Sequence, residues 1–251
     1  MTAEIYGKKV PDIFLHPHHL AQETVGKLAL AYLRAFHQFE IKFHPDIPNM
    51  GPYLFITSHF SILDVAALMA ADPYYPRTNL VVKKEMMEAP IFGKVLSAVG
   101  AIPVARHRQD VVALRRIRRT FQEGNGMCIA GQGTRSTTGK LGPMDESLVR
   151  LTVYAASKGI PVVPIVEIGT FEALPKGAKI PKGVKISVVT GAPLNLTFWV
   201  GREKVRPSLD ELTETAAVLQ RGLIELLPER YHPAPDERVI WRSDEYVSHS
   251  V

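Results

Sequence analysis

A short apolar run that passes directly into a helical pattern, residues 53–64, restricts the folds open to this chain. Its first five residues, Tyr-Leu-Phe-Ile-Thr, are apolar or β-branched and predict a buried strand. From Phe60 onward apolar residues recur at helical spacing, so a helix is predicted to follow. His59 therefore falls where a strand passes into a helix, a position at which α/β proteins often carry functional side chains.

His59 and Asp64 lie five positions apart in this segment. Within one regular helix that spacing turns two side chains about 140° away from each other, so they cannot share a face. They can meet only if His59 lies in the turn and Asp64 in the helix. The carboxylate would then fix the tautomer of His59 and leave the other ring nitrogen free to act as a base. An accidental spacing of two unrelated residues is the alternative.

Strands and helices alternate along the rest of the chain. Further strands are predicted at residues 79–83, 101–104, 127–130, 160–168 and 184–189. Helical patterns lie between them at residues 84–99, 111–123 and 147–158, with Asp110 placed to cap the second of these. A capping-box sequence at residues 208–211 opens a last helix. The alternation predicts an α/β fold with a central, mainly parallel β-sheet flanked by helices. We divide the chain into an N-terminal amphipathic helical segment (1–45), an α/β domain (46–227) and a polar C-terminal tail (228–251).

The formal charge of +5 over 251 residues favours anionic partners such as phosphates, acidic lipids or nucleic acid. Four arginines at positions 115, 116, 118 and 119 lie off the apolar stripe of the helix at residues 111–123. A solvated face is the usual explanation for such a cluster, and contact with an anionic bilayer or a nucleotide phosphate is the alternative. Nucleic acid is the weakest option, because no recognition motif or interleaved aromatic residues accompany the arginines.

Residues 21–43 predict a helix with a broad apolar face, which fits either packing on the core or an interfacial position on a membrane. Residues 1–9 lack the pattern of a secretory signal, and no uncharged apolar run reaches the ~18 residues of a membrane span. We therefore expect a soluble or peripheral protein. The single cysteine, Cys128, excludes an intramolecular disulfide and is predicted to be a small core residue. The histidines flanking Pro17 lie in a predicted loop that offers little geometry for a metal site.

Four segments stand in one order along residues 50–195. The first is Ser58-His59 through Asp64, and the second combines Lys84-Glu85, Pro90-Ile91-Phe92-Gly93 and the stretch from Gly100 to Arg106. The third is Gly131-Gln132-Gly133-Thr134-Arg135-Ser136, and the fourth is Val162-Val163-Pro164-Ile165. With these segments the chain resembles the glycerolipid acyltransferases, of which the 1-acylglycerol-3-phosphate acyltransferases are the best-known members.

The resemblance implies transfer of a fatty acyl group from acyl-CoA or acyl carrier protein to a lysophospholipid hydroxyl, with 1-acyl-sn-glycerol-3-phosphate as the first candidate. It implies His59 as general base, oriented by Asp64. It also implies a substrate-binding set that holds the acceptor phosphate: Lys84, Arg106, Gln132, Gly133, Thr134 and Arg135. No metal and no cofactor beyond the acyl donor is implied. Backbone N–H groups at a helix start are expected to stabilise the oxyanion. The expected location is cytoplasmic, peripheral at the inner face of an anionic membrane.

The chain departs from the family pattern at three places. Ser58 replaces an Asn of the first block, and Gln132 replaces a Glu of the third. Asp145 and Glu146 stand where the family has a Lys and a Gly, and two acids beside a phosphate site would repel the ligand. A different lipid or glycolipid acceptor is therefore an alternative. A non-catalytic lipid-binding relative and a hydrolase that activates water are the others, although no Gly-x-Ser-x-Gly sequence supports a serine hydrolase.

Overall fold

The structure is a computed structural model that describes residues 2–5, 8–11, 18–47, 51–71, 78–105, 110–202, 206–234 and 239–241. Within these residues the α-helices are α1 (His19–Phe36), α2 (Leu63–Ala71), α3 (Phe92–Ala98), α4 (Val111–Gln122), α5 (Glu146–Ser157), α6 (Thr170–Ala173) and α7 (Leu209–Ile224). The strands are β1 (Thr2–Ile5), β2 (Lys8–Pro11), β3 (Gln38–Lys42), β4 (Leu54–Thr57), β5 (Thr78–Lys83), β6 (Ile102–Val104), β7 (Gly126–Ala130), β8 (Met144–Asp145), β9 (Val162–Ile168), β10 (Lys185–Thr190) and β11 (Ile240–Trp241). Short 3-10 turns cover Lys84–Glu88, Thr197–Trp199 and Glu229–Tyr231.

A seven-stranded sheet forms the centre of the protein, in the order β3-β10-β9-β4-β7-β5-β6. Neighbouring strands are parallel except for the pair β9 and β10. The predicted fold class, a mainly parallel sheet flanked by helices, is confirmed. β4 lies between β7 and β9, so the carboxyl ends of several parallel strands meet at one edge of the sheet.

Two apolar layers cover the two faces of the sheet. Alternate residues of β4 point to opposite faces, as the two-residue period of a strand requires. Leu54 and Ile56 join the layer formed with α4, α5 and α7, whereas Phe55 joins the layer formed with α1, α2 and α3. Both layers are buried, and β4 therefore reads as an apolar run rather than as an alternating pattern. This burial fixes the end of β4, and with it the position of His59.

The prediction of one continuous helix over residues 21–43 is wrong at its end. α1 stops at Phe36, and Gln38–Lys42 forms β3, which pairs in parallel with β10 at the edge of the sheet. Phe39 and Ile41 alternate with polar neighbours and pack against the α1–α2 layer. A period of two over five residues is a strand signal, which the apolar residues of the preceding helix obscured.

The segment 228–251 is not a loose tail over its described part. Tyr231 is 1% exposed, and β11 pairs in parallel with β8. Residues 235–238 and 242–251 lie outside the described residues. A single buried tyrosine in a polar stretch carries no periodicity, so the pattern of the sequence gave no indication of this contact.

Several local predictions are confirmed. Asp110 caps α4 by accepting a hydrogen bond from the Ala113 N–H at 2.9 Å. Ser208 and Glu211 form the capping box of α7. Cys128 is buried in the core. The two described N-terminal histidines make other contacts: His18 Nδ1 lies 2.9 Å from the Ala98 carbonyl, and His19 Nε2 is 3.6 Å from Glu23.

Candidate active site

His59 lies immediately beyond the carboxyl end of β4, in the turn that leads into α2. The loop after β7 lies beside it, because Thr57 and Ala130 end neighbouring strands in register. The Ser136 N–H donates to the His59 carbonyl at 2.8 Å, and the His59 N–H donates to Gln132 Oε1 at 3.0 Å. The first and third sequence blocks are thus joined at the backbone of His59.

The predicted contact between His59 and Asp64 is present. Nδ1 of His59 lies 2.9 Å from Oδ2 of Asp64, and that oxygen also accepts the N–H groups of Phe60 at 2.8 Å and Ser61 at 2.9 Å. A carboxylate oxygen with three N–H groups around it acts as an acceptor, so Nδ1 carries the proton and Nε2 keeps its lone pair. Asp64 is 1% exposed, which protects the contact from competing water.

Ser61 ties the turn to a second element. Its hydroxyl accepts from the Leu63 N–H at 3.2 Å and so caps the start of α2. The same hydroxyl donates to the Leu174 carbonyl at 2.6 Å, just after α6. The Ser61 hydroxyl therefore links the turn that carries His59 to the start of α2 and to the segment after α6.

Three of the N–H groups at this helix start are already engaged within the turn, so they are not free to stabilise an oxyanion. Those of Phe60 and Ser61 bind Asp64, and that of Leu63 binds Ser61. In the loop after β7, by contrast, no described group accepts a hydrogen bond from the N–H of Thr134 or Arg135. These two backbone groups are the available donors close to His59 for a developing negative charge.

The third block forms a tight loop between β7 and the segment leading to β8. Gly133 has φ of +62°, a left-handed conformation that glycine adopts without a steric penalty. Gln132 is 6% exposed and faces the His59 backbone, whereas Thr134 and Arg135 are partly exposed. Arg135 has no carboxylate partner among the described residues, so its guanidinium is available to an anion.

Lys84 lies farther along the same edge of the sheet, at the start of the 3-10 turn that follows β5. Lys84 follows β5, which is separated from β4 by β7, or by roughly 10 Å at the usual strand spacing. Its side chain is exposed and has no ion-pair partner among the described residues. Backbone N–H groups of Ala113 and Ala105 lower the pKa of Asp110, and the nearby charge of Lys84 adds to that effect. Arg106 falls outside the described residues.

The two acids that depart from the family pattern are engaged elsewhere. Asp145 caps α5 by accepting from the Ser147 N–H at 2.9 Å, while its own N–H donates to the Gly131 carbonyl at 2.8 Å. Glu146 pairs with Arg150 at 2.7 Å. One charge is thus bound to a helix start and the other to a cation, which reduces the repulsion that these acids would exert on a phosphate.

A buried glutamate beneath the turn was missed in the sequence. Glu167 of β9 is fully buried, and both of its carboxyl oxygens lie 2.6 Å from Thr57 Oγ1. Ser58 Oγ lies 3.3 Å from Oε2. The available signal was a single acidic residue at the end of an otherwise apolar strand, and such a residue normally marks a solvent-facing position.

A second feature missed in the sequence supports the turn from the other face. The ring of Phe60 lies 5.0 Å from the ring of Tyr231. The Tyr231 hydroxyl donates to Glu172 at 2.6 Å and accepts from the Gly169 N–H at 2.9 Å. Burial, followed by the hydrogen bond to Glu172, raises the pKa of Tyr231 to about 12. The tyrosine therefore stays neutral and fixes the residue next to His59.

The described residues contain no group of three or more His, Cys, Asp or Glu side chains arranged to hold a metal ion. Their helices also include none with the length and apolar character needed to cross a bilayer. α1 buries one face, including Leu30 and Leu33, against the core. Its opposite side exposes Leu20, Leu28 and Phe36 at 77%, 67% and 64%. The helix thus has both the core-packing face and an outward apolar surface.

The site and the fold can now be compared with known proteins. A family model described as Acyltransferase matches residues 38–167. A 1-acyl-sn-glycerol-3-phosphate acyltransferase, the chloroplastic BAT2 of Brassica napus, is 29% identical over 64% of this chain and 45% of its own length. The chloroplastic LPAT1 of Arabidopsis thaliana is 27% identical over 64% of this chain and 44% of its own length. The chain spans about half the length of these curated relatives.

A solved structure gives the corresponding comparison for the fold. The 1-acyl-sn-glycerophosphate acyltransferase PlsC from Thermotoga maritima matches with a TM-score of 0.61 and 22% identity. The match covers 82% of this chain and 78% of that one. At this identity the likeness shows a shared fold.

Proposed function

The chain belongs to the Acyltransferase family, and from that premise we propose that it transfers a fatty acyl group from acyl-CoA or acyl carrier protein to a lysophospholipid hydroxyl. The observation that carries the proposal is the hydrogen bond between His59 and the buried Asp64 at the end of β4. That bond leaves Nε2 of His59 as a base at an edge of the sheet where substrates of open α/β folds bind.

The reaction that this geometry supports is direct acyl transfer. Nε2 of His59 removes the proton of the acceptor hydroxyl as the oxygen attacks the thioester carbonyl, because an alcohol of high pKa needs a base at that moment. The new C–O bond forms and the C–S bond breaks. The departing thiolate takes the proton from the His59 imidazolium, so the products are an ester and a free thiol. Asp64 stabilises the imidazolium that forms in between.

The loop after β7 supports a phosphate-bearing acceptor. Arg135 has no acidic partner among the described residues, and its neighbour Ser136 binds the backbone of His59. Gly133 allows the chain to approach a ligand closely. Lys84 extends the positive charge along the sheet edge, and Arg106 is assigned to the same set by its sequence block alone. The printed names of the relatives support 1-acyl-sn-glycerol-3-phosphate as the first acceptor to test.

A peripheral position at the cytoplasmic face of a membrane is part of the proposal. Both substrates carry acyl chains that partition into lipid, so the site should open at a bilayer surface. The exposed apolar residues of α1 and the exposed Arg115 and Arg116 of α4 are suited to an anionic interface. Near these arginines, Val111, Val112 and Leu114 are also about half exposed or more.

The test is thiol release from palmitoyl-CoA, followed with a thiol reagent, on vesicles that contain different lysolipids. We expect release that requires an acceptor and falls about 10³-fold in His59→Ala, because the general base is lost. His44→Ala is the matched control, since His44 also lies near an aspartate, Asp46, at 3.8 Å but on the surface. Acceptor-independent release would show a hydrolase, and lipid binding without release would show a non-catalytic relative.

Sedimentation of the protein with the same vesicles tests docking. The vesicles then carry anionic lipid, and the salt concentration is raised. Salt screens charges beyond about 10 Å at 0.1 M, so binding through arginines should weaken. A sedimented fraction that does not depend on salt or on anionic lipid would contradict electrostatic docking.

A further inference from the structure

Glu167 is fully buried. No described basic side chain pairs with it, although buried acids usually have such a partner. It is the penultimate residue of β9 and faces the side of the sheet that carries α1 and α2. Within the described residues the buried acidic side chains are Asp64 and Glu167. Partly exposed acids such as Glu146 and Glu172 pair with arginines, whereas no described cation contacts Glu167. An isolated buried carboxylate is too costly to keep its charge.

The number of protons on the hydroxyl groups around Glu167 also indicates that its carboxyl group is neutral. Thr57 Oγ1 lies 2.6 Å from both carboxyl oxygens and 3.1 Å from the Ser58 carbonyl, yet it has one proton to donate. If Glu167 is protonated, its O–H donates to Thr57 Oγ1. The threonine proton is then free for the Ser58 carbonyl or the second carboxyl oxygen. A neutral acid satisfies these short contacts, and a carboxylate does not.

The described elements packed around the carboxyl group bring no cation to it, and the hydrogen bonds that lower its pKa are outweighed by burial and by the charge of Asp64. β4 contributes Thr57 and Ser58, α2 contributes the acidic Asp64, and Val188 of β10 is the register partner. Thr170 at the start of α6 donates to the Glu167 carbonyl at 3.1 Å. Burial, and after it the charge of Asp64, raises the pKa of Glu167 well above its ordinary value. Of these two acids, Asp64 has three N–H donors, whereas Glu167 has the hydroxyls of Thr57 and Ser58 and its own backbone N–H.

Thr57 and Ser58 immediately precede His59 in the chain, so whatever holds them also sets the imidazole. We propose that Glu167 is a positioning residue which, as a neutral carboxylic acid, fixes the Thr57–Ser58 end of β4 and thereby aims His59 at the substrates. The role rests on the acyl transfer proposed above. Loss of its proton removes the donor to Thr57 and places a second negative charge beside Asp64, whose Oδ1 has no described hydrogen-bond partner.

One test does not depend on activity. The folded protein holds a proton on Glu167 that the unfolded chain releases above its ordinary pKa of 4.5. The free energy of unfolding should therefore decrease as pH rises above that value, until the folded carboxyl group itself ionises. Glu167→Gln should abolish this decrease in the free energy of unfolding. Glu225→Gln, which changes an exposed glutamate, should retain it. Equal slopes in wild type and Glu167→Gln would show that Glu167 is charged in the folded state, which overturns the proposal.

The second test is kinetic and uses two variants. Glu167→Leu should lower kcat by about tenfold or more, with the KM of both substrates unchanged, because the residue touches neither. Glu167→Gln retains a donor for Thr57 and should recover most of that loss. Its kcat should also resist alkaline pH better than that of wild type, because an amide does not ionise. A leucine variant as active as wild type, or a glutamine variant no better than leucine, contradicts the positioning role.

The two tests separate the failures. If wild-type protein transfers no acyl group to any acceptor, the proposed function fails and the positioning role falls with it. The slope of stability against pH still decides whether Glu167 carries a proton. If wild type is active and the two Glu167 variants behave alike, the acyltransferase proposal stands and the role of Glu167 is refuted.

Discussion

Two His–Asp pairs in this protein show how little the residue types determine by themselves. His44 and Asp46 lie 3.8 Å apart, with side chains 36% and 73% exposed. His59 and Asp64 lie 2.9 Å apart, with side chains 20% and 2% exposed. The surface pair competes with water for every contact, whereas the inner pair is held by backbone donors in a site of lower dielectric. The surroundings, not the pair, make the second a candidate for catalysis.

Three features surround the inner pair. Its carboxylate accepts two backbone N–H groups in addition to the imidazole. Its histidine backbone is bound by Gln132 and Ser136 from the next strand end. The loop after β7 that binds its histidine backbone also carries Arg135, an arginine without a described acidic partner. Removing each feature in turn measures what it contributes.

The largest effect is expected from the carboxylate. Asp64→Asn removes the charge that stabilises the imidazolium and should lower kcat by about 10²- to 10³-fold, with little change in KM. Asp46→Asn, the equivalent change in the surface pair, should leave kcat within about twofold of wild type because an exposed pair contributes little. Steady-state kinetics of the two variants decide the matter. Similar losses in both would mean that burial does not distinguish the pairs.

A smaller effect, confined to substrate binding, is expected from Arg135. Arg135→Gln should raise the KM of a phosphate-bearing acceptor by about 10- to 100-fold, the worth of a hydrogen bond to a charged group. Arg221→Gln, which removes an exposed cation in the last turn of α7, is the control. A monoacylglycerol without the phosphate should respond equally to both variants. If the phosphate-bearing acceptor does so too, Arg135 is not its ligand.

The smallest effect on turnover is expected from Gln132. Gln132→Leu leaves the buried N–H of His59 without an acceptor and should reduce the free energy of unfolding by about 1–3 kcal/mol. Gln132→Glu keeps an acceptor at this position and should recover most of the stability, as measured by urea unfolding. Equal destabilisation by Leu and Glu would show that the hydrogen bond to His59 is not what Gln132 provides.

The sequence was informative wherever the chain contacts itself locally. The meeting of His59 with Asp64 follows from a strand end, a turn and one helical step, all within residues 53–64. The cap at Asp110 and the capping box at Ser208 are equally local. The parallel sheet followed from the alternation of elements. These features depend on short-range geometry, which residue spacing encodes directly.

The contacts that were missed join distant strands. Glu167 meets Thr57 because β9 and β4 are neighbours in register, and no local pattern states which parallel strands will be adjacent. The same reasoning applies to β3, whose pairing with β10 stabilises a strand where the sequence suggested a continuing helix. Arg106 lies outside the described residues, so its part in the site stays a prediction.

The contacts of Tyr231 constrain the order in which the sheet and the turn that carries His59 can form during synthesis. Its ring packs on Phe60, and its carbonyl accepts the N–H of Leu141, in the stretch between the third block and β8. During synthesis the seven strands of the sheet all emerge from the ribosome before this residue does. A nascent chain can therefore form its sheet before Tyr231 is available to pack on Phe60 in the turn that carries His59. Competence for catalysis should appear as a late event in biogenesis, after the framework that bears it has already formed.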